Sequence, residues 1–224
     1  MNKVMFISVH PDDETFGCGG SILKHKAMGD RIYWLNLTGI FEGHPMGFTQ
    51  QEADKRAEVI DKVRSLYGFD EFVNLLLPTI MLDTIELGRI VRAVDEVIMK
   101  LQPEIIYLPN RSDVHSDHRI AFDAVYACTK NFRKPFIKQL LMYETLSETE
   151  FTPALQENAF VPNCFMDVTP YLDKKIDIAR LYETELMPDP LPRSIHALRG
   201  LAAFRGSRIG VFYAEAFCII FDKR

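Results

Sequence analysis

The feature that most constrains this chain is a repeated alternation of strand-like and helix-like segments. The first apolar run, residues 3–9, is followed by a segment with helical spacing of apolar residues, and the same succession recurs along the chain. Alternation of this kind is typical of a mostly parallel sheet that has helices on both faces. We therefore predict an α/β fold.

The predicted elements follow from apolar periodicity, capping residues and helix breakers. Strands or extended segments are expected at residues 3–9, 32–37, 72–77, 105–108, 140–143, 160–168 and 211–221. Helices are expected at residues 15–29, 49–67, 85–100, 118–131, 169–187 and 193–204. No repeat, low-complexity tract or long linker divides the 224 residues, so a single domain spanning residues 1–224 is predicted.

Composition excludes several classes of protein. The net charge is −5 and the chain has no basic block, so nucleic-acid binding is not expected. The longest apolar stretch, Ile209 to Phe221, contains Glu215 and is too short to span a bilayer. The N-terminus enters the first strand without signal-peptide features, which predicts a cytoplasmic protein. The four cysteines form no C-x-x-C pair, so a metal here would be bound by histidine and carboxylate.

Two clusters of polar residues follow strands of the predicted sheet. His10-Pro11-Asp12-Asp13-Glu14 comes directly after the first strand, and His115-Ser116-Asp117-His118 comes after the fourth. Open α/β sheets place their sites outside the carboxyl ends of the strands, where the strand order changes. If the two strands are neighbours, the clusters face each other across that crevice.

The first cluster is suited to binding zinc. His10 and Asp13 are three residues apart across a turn that enters a helix, and imidazole and carboxylate are both zinc ligands. A histidine of the second cluster would be the third ligand. His118 is favoured because it begins a helix, although spacing alone leaves His115 open. Three protein ligands leave a position for water, which is typical of a catalytic zinc site. Asp12 then remains as the catalytic base.

The other polar groups suggest supporting roles. A His115 side chain held protonated by Asp117 could stabilise a developing oxyanion and protonate a leaving amine. His44, in the loop 38–48, is a candidate substrate contact. The sequence lacks the motifs of competing enzyme classes: G-x-G-x-x-G, the P-loop, P-C-x-x-C and G-x-S-x-G.

Three motifs, taken together, point to one enzyme family. They are Val9-His10-Pro11-Asp12-Asp13-Glu14, His115-Ser116-Asp117-His118 and the closing Phe204-Arg205-Gly206-Ser207…Gly210…Tyr213-Ala214-Glu215-Ala216-Phe217. In these motifs the chain resembles the PIG-L/LmbE-like N-acetylglucosaminyl deacetylases. Arg56-Ala57-Glu58-Val59 also resembles a segment of that family. The resemblance runs from about residue 4 to residue 221, so it covers nearly the whole chain.

The resemblance implies a zinc hydrolase on a Rossmann-like fold that removes acetyl from N-acetylglucosamine-type compounds. The implied zinc ligands are His10, Asp13 and His118. Asp12 is implied as the base, and His115, oriented by Asp117, as the group that assists the oxyanion or the leaving group. Arg56 is expected to contact substrate, and the segment around Tyr213 to border the site.

The chain departs from the family at Asp113. Some members have a tyrosine two residues before the first histidine of the second motif, where it can support the oxyanion. This chain has Asp113 there. Either the role passes to Tyr213 or His115, or Asp113 contacts a different feature of the substrate.

The leading hypothesis is hydrolysis of the amide of an N-acetylated amino sugar, which releases acetate and a free amine. A zinc amidase that acts on a non-sugar or non-acetyl amide is one alternative. A non-catalytic sugar- or nucleotide-binding protein on the same fold is another. The sequence leaves the carrier of the sugar open, and the apolar C-terminal third is a candidate interface for a homo-oligomer.

Overall fold

One seven-stranded sheet forms the centre of the protein. The structure, a computed structural model, describes residues 1–223. The strands are β1 (Lys3–Ser8), β2 (Arg31–Gly39), β3 (Glu71–Pro78), β4 (Ile105–Pro109), β5 (Gln139–Tyr143), β6 (Cys164–Asp167) and β7 (Ala214–Asp222). Their order is β3-β2-β1-β4-β5-β7-β6. Strands β1 to β5 run in one direction and β7 is antiparallel to both of its neighbours, which confirms the predicted mostly parallel sheet.

Helices cover both faces of the sheet, as predicted. They are α1 (Asp13–Ala27), α2 (Gln50–Tyr67), α3 (Leu87–Leu101), α4 (Ser116–Ala127), α5 (Leu172–Ala179) and α6 (Ile195–Ser207). Val4 and Phe6 of β1 pack with α1 and α2, whereas Met5 and Ile7 pack with α3 and α4. Successive strand residues point to opposite faces, so a central strand covered on both faces is apolar throughout. Among the described residues, no helix is long and apolar enough to cross a membrane.

Two predicted helices have different limits in the structure. The helix expected at residues 169–187 is α5, which ends at Ala179. The chain then turns Tyr182 inward, where its Oη donates a hydrogen bond to Glu14 Oε1 at 2.9 Å. This buried tertiary contact overrides the local helical pattern. The helix expected at residues 118–131 is α4, which begins at Ser116, because His115 caps it, and ends at Ala127.

A buried ion pair holds helix α1 against the sheet. The Glu215 carboxylate, at the start of β7, accepts hydrogen bonds from Gly20 N at 2.8 Å, Ser21 N at 2.7 Å and Lys175 Nζ at 2.6 Å. A Cβ atom at Gly20 would lie 2.6 Å from Val168 Cβ, so this close approach requires glycine. The glycine-rich start of α1 is therefore a packing feature, and Glu215 positions the helix that begins with the first motif.

The carboxyl ends of β1 and β4 lie side by side. Strand β1 pairs with β2 on one side and with β4 on the other, so the strand order changes direction at β1. The loops that follow β1 and β4 therefore meet at one edge of the sheet. These are the loops that carry the two polar motifs.

Candidate active site

The predicted metal ligands converge at this edge. His118 Nε2 lies 3.4 Å from His10 Nδ1 and 3.3 Å from Asp13 Oδ2, and His10 Nδ1 lies 3.9 Å from the same oxygen. Ligand atoms of a tetrahedral zinc site, at about 2.1 Å from the ion, are about 3.4 Å apart. Asp13 Oδ1 is buried and has no hydrogen-bond partner within residues 1–223, so a lone pair is left for a cation. The three residues thus fit a metal ion.

The turn between β1 and α1 places these donors. Val9 N and His10 N donate to Asp13 Oδ2 at 3.0 and 2.9 Å, which closes the turn before the helix begins. Asp12 N donates to Glu14 Oε2 at 3.1 Å. Burial raises the pKa of Glu14 to about 8, and the hydrogen bond that its carboxyl accepts from Asp12 N supports the turn.

A carboxylate lies against the outer ring nitrogen of each histidine of the donor set. His118 Nδ1 lies 2.9 Å from Asp113 Oδ2, and His10 Nε2 lies 3.3 Å from Asp117 Oδ2. A ring N–H donated to a carboxylate leaves the lone pair of the other nitrogen for the metal. The two acidic residues therefore orient the histidines toward a common centre.

Asp113 is enclosed by protein and does not line the cavity, which corrects the expectation that it contacts substrate. The side chain is fully buried, and its Oδ1 accepts hydrogen bonds from Asn110 Nδ2 at 3.1 Å and Thr149 Oγ1 at 2.7 Å. Its other oxygen faces His118. Because every side of the carboxylate is enclosed by protein, Asp113 acts on the site through His118.

Asp117 orients His10 rather than His115, which is a second correction. Its Oδ1 accepts from Leu82 N at 3.0 Å and its Oδ2 from Ile80 N at 2.7 Å, in addition to His10. Only the backbone N–H of Asp117 reaches His115, at 3.1 Å from Nδ1. The hydrogen-bond partners of the Asp117 carboxylate are therefore His10 and the backbone of the loop after β3, and not the ring that caps its helix.

His115 is a neutral hydrogen-bond donor rather than the imidazolium expected from the sequence. Its Nδ1 accepts the Asp117 N–H, so the ring proton is on Nε2. Burial, together with the neighbouring His10 and His118 rings, lowers the pKa of His115 to about 4. The ring lines the open cavity above the donor set, where its N–H can meet a substrate oxygen.

The loop after β3 contributes a group that sequence analysis missed. Ile80 has a φ of 65°, a strained conformation for a β-branched residue. In this conformation its backbone N–H points at Asp117. The strained residue, Ile80, therefore donates a hydrogen bond that fixes the Asp117 carboxylate, and this carboxylate orients His10. The sequence of this loop carries no signal for the contact.

Asp12 is buried and lines the cavity above the donor set. Its Oδ2 accepts a hydrogen bond from Arg193 Nη1 at 2.9 Å, and its Oδ1 is buried with no partner in the described chain. Burial raises the pKa of Asp12 to about 6; the Asp13 charge adds to this effect and Arg193 opposes it. A carboxylate with this pKa is ionised at neutral pH and is more basic than an exposed one.

Arg193 is the main group of the site that motif analysis did not identify. It comes from the proline-containing segment between α5 and α6. Its guanidinium contacts Asp12 at 2.9 Å, Glu148 at 3.2 Å and Glu185 at 3.5 Å, and its Nε donates to Ser147 Oγ at 2.7 Å. An arginine that pairs with three carboxylates stabilises their ionised forms together. Through these ion pairs, Arg193 connects the segments that carry Asp12, Glu148 and Glu185 beside the donor set.

A cavity of about 340 Å³ opens above the donor set. Its lining combines the polar groups of the site with the apolar side chains of Ile40, Phe48 and Ile80. Arg56, expected to contact substrate, is part of the lining and donates to Glu185 Oε1 at 2.6 Å. Cavities of this volume are at the small end of those that bind small molecules.

His44 and Tyr213, the two other predicted substrate contacts, do not line this cavity. The His44 ring is buried between Phe41 and Phe48, with ring centroids 5.2 and 5.0 Å away, and its Nδ1 accepts the Met46 N–H. Tyr213 packs against the apolar cluster of α5 and α6. Both expectations are corrected, because His44 packs within its own loop and Tyr213 packs against α5 and α6.

Replacing Asp113 tests its role as the support of His118. Asp113→Asn is expected to weaken metal binding about 10–100-fold, because the amide lacks the charge that strengthens the His118 ligand. Competition with a chromogenic chelator measures the dissociation constant. Asp123→Asn, at an exposed position of α4, is the matched control. An unchanged dissociation constant in Asp113→Asn would contradict the assignment.

The arrangement defines a class of protein. Two histidines and a carboxylate surround a centre that is open toward a cavity, and a buried acid lies beside it. Such a set at the carboxyl edge of a parallel sheet is typical of metal-dependent hydrolases.

The chain belongs to the PIG-L family. Residues 5–129 match the model of that family, which is described as GlcNAc-PI de-N-acetylase. These deacetylases are metal-dependent hydrolases of N-acetyl amides, so the predicted family and enzyme class are confirmed.

Individual relatives and solved structures are consistent with this assignment. Diacetylchitobiose deacetylase of Thermococcus kodakarensis is 26% identical over 231 residues, which cover 96% of this chain and 82% of the relative. The N,N′-diacetylchitobiose deacetylase structure from Pyrococcus horikoshii superposes with a TM-score of 0.73 at 23% identity, covering 98% of this chain and 84% of that one. The hydratase GalB of Pseudomonas putida KT2440 superposes with a TM-score of 0.75 at 16% identity, covering 100% and 98%. The fold is thus shared by enzymes of different chemistry, and the site residues must decide the reaction.

Proposed function

We propose that this protein removes the N-acetyl group from an N-acetylglucosamine-type sugar or sugar conjugate, with zinc as its metal. The observation that carries the proposal is the convergence of His10, Asp13 and His118 beside the buried Asp12, under a small open cavity. A relative that aligns with 96% of this chain is a diacetylchitobiose deacetylase, which supports a sugar acetamide as the substrate.

The donor set favours zinc among the common metals. Two imidazoles, one carboxylate and an open position form the ligand set of several catalytic zinc sites. The same set also binds iron(II) in oxygenases, so the metal requires direct identification. When bound, the ion would polarise the acetamide carbonyl and lower the pKa of a coordinated water.

The surrounding residues supply proton transfer and charge stabilisation. Asp12 accepts a proton from the water whose oxygen bonds to the acetamide carbon, and it then delivers that proton to the nitrogen as the carbon–nitrogen bond breaks. The His115 Nε2–H donates a hydrogen bond to the carbonyl oxygen as negative charge develops there. Arg193 holds Asp12 in place through the reaction. The products are acetate and a free amine.

A substrate screen tests the proposal. The purified protein with one equivalent of zinc is incubated with N-acetylglucosamine, N,N′-diacetylchitobiose, UDP-N-acetylglucosamine and N-acetyl amino acids, and products are identified by mass spectrometry. Acetate and free amine are expected from one or more of the sugars, with loss of activity in chelator and recovery on adding zinc.

Two results would overturn the proposal. Hydrolysis of the non-sugar amides alone would make the protein an amidase of another substrate class. If the metal-loaded protein hydrolysed no amide while binding sugars, it would be a binding protein on this fold. Metal analysis of the protein as purified identifies the ion.

A further inference from the structure

Glu148 lines the cavity above the donor set but has no role in the reaction described above. It is buried and lies in the segment after β5. Its Oε1 accepts hydrogen bonds from Arg193 Nη2 at 3.2 Å and Ser147 Oγ at 3.3 Å. Its Oε2 accepts none within residues 1–223 and, unlike Asp12 Oδ1, is not sealed from solvent. This oxygen is therefore available to a molecule in the cavity.

The backbone on both sides of Glu148 is fixed relative to the donor set. Glu148 O accepts a hydrogen bond from Val114 N at 3.1 Å, and Glu148 N donates to Thr145 O at 3.1 Å. The next side chain, Thr149, donates from Oγ1 to Asp113 Oδ1 at 2.7 Å. Two hydrogen bonds thus join this segment to the loop that carries the second motif. Glu148 is therefore held in place before a substrate binds, which reduces the entropy lost on binding.

The preceding residue, Ser147, adopts a strained conformation. Its φ is 72°, which is uncommon for a residue with a side chain. Its N–H donates to Glu150 Oε1 at 2.6 Å, and its Oγ accepts from Arg193 Nε at 2.7 Å. Strained backbone of this kind persists only where surrounding contacts maintain it, and it is concentrated at binding and catalytic sites.

Arg193 places the Glu148 carboxylate beside that of Asp12. Its Nη1 donates to Asp12 Oδ2 at 2.9 Å and its Nη2 to Glu148 Oε1 at 3.2 Å. The two nitrogens belong to one planar guanidinium, so the two carboxylates lie next to each other. In the proposed reaction Asp12 serves the water and the amide nitrogen. A group on a carbon next to the one that carries the nitrogen is then within reach of Glu148.

The chemistry of an amino sugar limits what this group is. The acetamide is on carbon 2, and its neighbours are carbons 1 and 3. In a conjugate linked through carbon 1, only the 3-hydroxyl remains as a neighbouring donor. An ionised carboxylate only accepts hydrogen bonds, and those it accepts are stronger than bonds between neutral groups. Burial raises the pKa of Glu148, because its charge loses the hydrogen bonds of water, and a hydroxyl donor would replace one of them.

We propose that Glu148 is a specificity-determining residue, whose Oε2 accepts a hydrogen bond from the 3-hydroxyl of the N-acetylated sugar. The inference rests on the proposed function. It narrows the substrate to sugars whose 3-hydroxyl is unsubstituted, because a substituent there removes the donor and meets a fixed side chain.

Deoxy analogues test this contact. The parent is whichever of N-acetylglucosamine, N,N′-diacetylchitobiose and UDP-N-acetylglucosamine is hydrolysed fastest, and the analogues lack the 3-hydroxyl or the 6-hydroxyl of the reacting unit. In the wild type, loss of the 3-hydroxyl is expected to lower kcat/KM about 10–100-fold, the effect of a hydrogen bond to a charged group. Loss of the 6-hydroxyl is expected to change kcat/KM by less than about threefold, because that group has no partner in this assignment.

Two variants of Glu148 are expected to lose the preference for the 3-hydroxyl. Glu148→Gln keeps the shape of the side chain and removes its charge, so the ratio of the parent to the 3-deoxy value should fall to about threefold. Glu148→Asp keeps the charge that Arg193 needs but withdraws the oxygens by one methylene group, so it should also lower this ratio. Elemental analysis of both variants checks that the metal centre is intact.

Two controls separate the contact with substrate from the support of Arg193. Ser147→Ala removes a hydrogen bond of Arg193 but leaves the Glu148 carboxylate in place, so the preference for the 3-hydroxyl should persist even if kcat falls. Glu157→Gln makes the same chemical change as Glu148→Gln at an exposed position of the same segment. It is expected to leave all kinetic constants at their wild-type values.

The outcomes distinguish this inference from the proposed function. Equal kcat/KM for the parent and the 3-deoxy analogue in the wild type would overturn the contact and leave the deacetylase proposal intact. An undiminished ratio in both Glu148 variants, or an equal loss of the ratio in Ser147→Ala, would do the same.

If no sugar releases acetate, the proposed function fails, and calorimetry then decides the contact alone. N-acetylglucosamine and its 3-deoxy analogue are titrated into zinc-loaded wild type and Glu148→Gln. Weaker binding of the 3-deoxy analogue to the wild type, with no such difference in the variant, would support the contact. Any other result would overturn it.

Discussion

Asp12→Asn is expected to lower kcat for acetate release by about 10²–10⁴-fold, the range over which general acid–base catalysis contributes. The amide has nearly the shape of the carboxylate but cannot accept the proton from water. Asp12 lies outside the set of three converging donors, so the metal content is expected to stay at the wild-type level. Steady-state kinetics with saturating zinc, together with elemental analysis of the same sample, measures both quantities.

The control for this variant is Asp123→Asn, which makes the same chemical change at an exposed position of α4. It is expected to keep wild-type activity. Full activity in Asp12→Asn would exclude this residue as the base. A loss of metal in Asp12→Asn would show instead that the residue supports the metal centre.

His10→Ala is expected to remove both the bound metal and the activity. The variant retains only Asp13 and His118 of the converging donor set. Removing a ligand should lower the metal affinity by more than the roughly 10–100-fold expected when a residue that is hydrogen-bonded to a ligand is replaced. Elemental analysis after dialysis and acetate release by the dialysed protein are the measurements. His196→Ala, on the exposed face of α6, is the matched control and should retain both properties.

A second set of converging donor atoms provides a further test of the assigned metal ligands. His10, His115 and Asp117 also offer three donor atoms close together. However, each Asp117 oxygen already accepts a backbone N–H group and His115 Nδ1 accepts a third, whereas Asp13 Oδ1 has no partner within residues 1–223. We therefore expect His115→Ala to retain the metal and to lose activity. Stoichiometric metal in His10→Ala, or its loss in His115→Ala, would contradict the assigned ligand set.

The fold and the donor set were largely predictable from the sequence. The continuous apolar run of β1 indicates a strand covered on both faces, and polar residues at the end of such a strand indicate a site. His10 and Asp13 are separated by one turn, so local geometry alone brings them together. The predicted third donor, His118, needed only that β1 and β4 be neighbours, which the sheet order provides.

The roles of the acidic residues near the second motif were not predictable in the same way. Asp117 is two residues from His115, yet its carboxylate faces His10, 107 residues away in the sequence. Asp113 was expected at the substrate and instead lies against His118. Proximity in the sequence does not determine the direction of a side chain, because direction depends on where the helix begins and on what packs around it.

By itself, the sequence determined which chemical groups are present and which strand ends carry them. Those properties follow from local periodicity and short-range spacing, which depend on neighbouring residues only. The tertiary structure alone decided the partners of those groups. Arg193 reaches Asp12 across 181 residues of chain, and Arg56 of α2 reaches Glu185 across 129 residues. Contacts of this kind arise when distant segments pack together, and no local pattern encodes them.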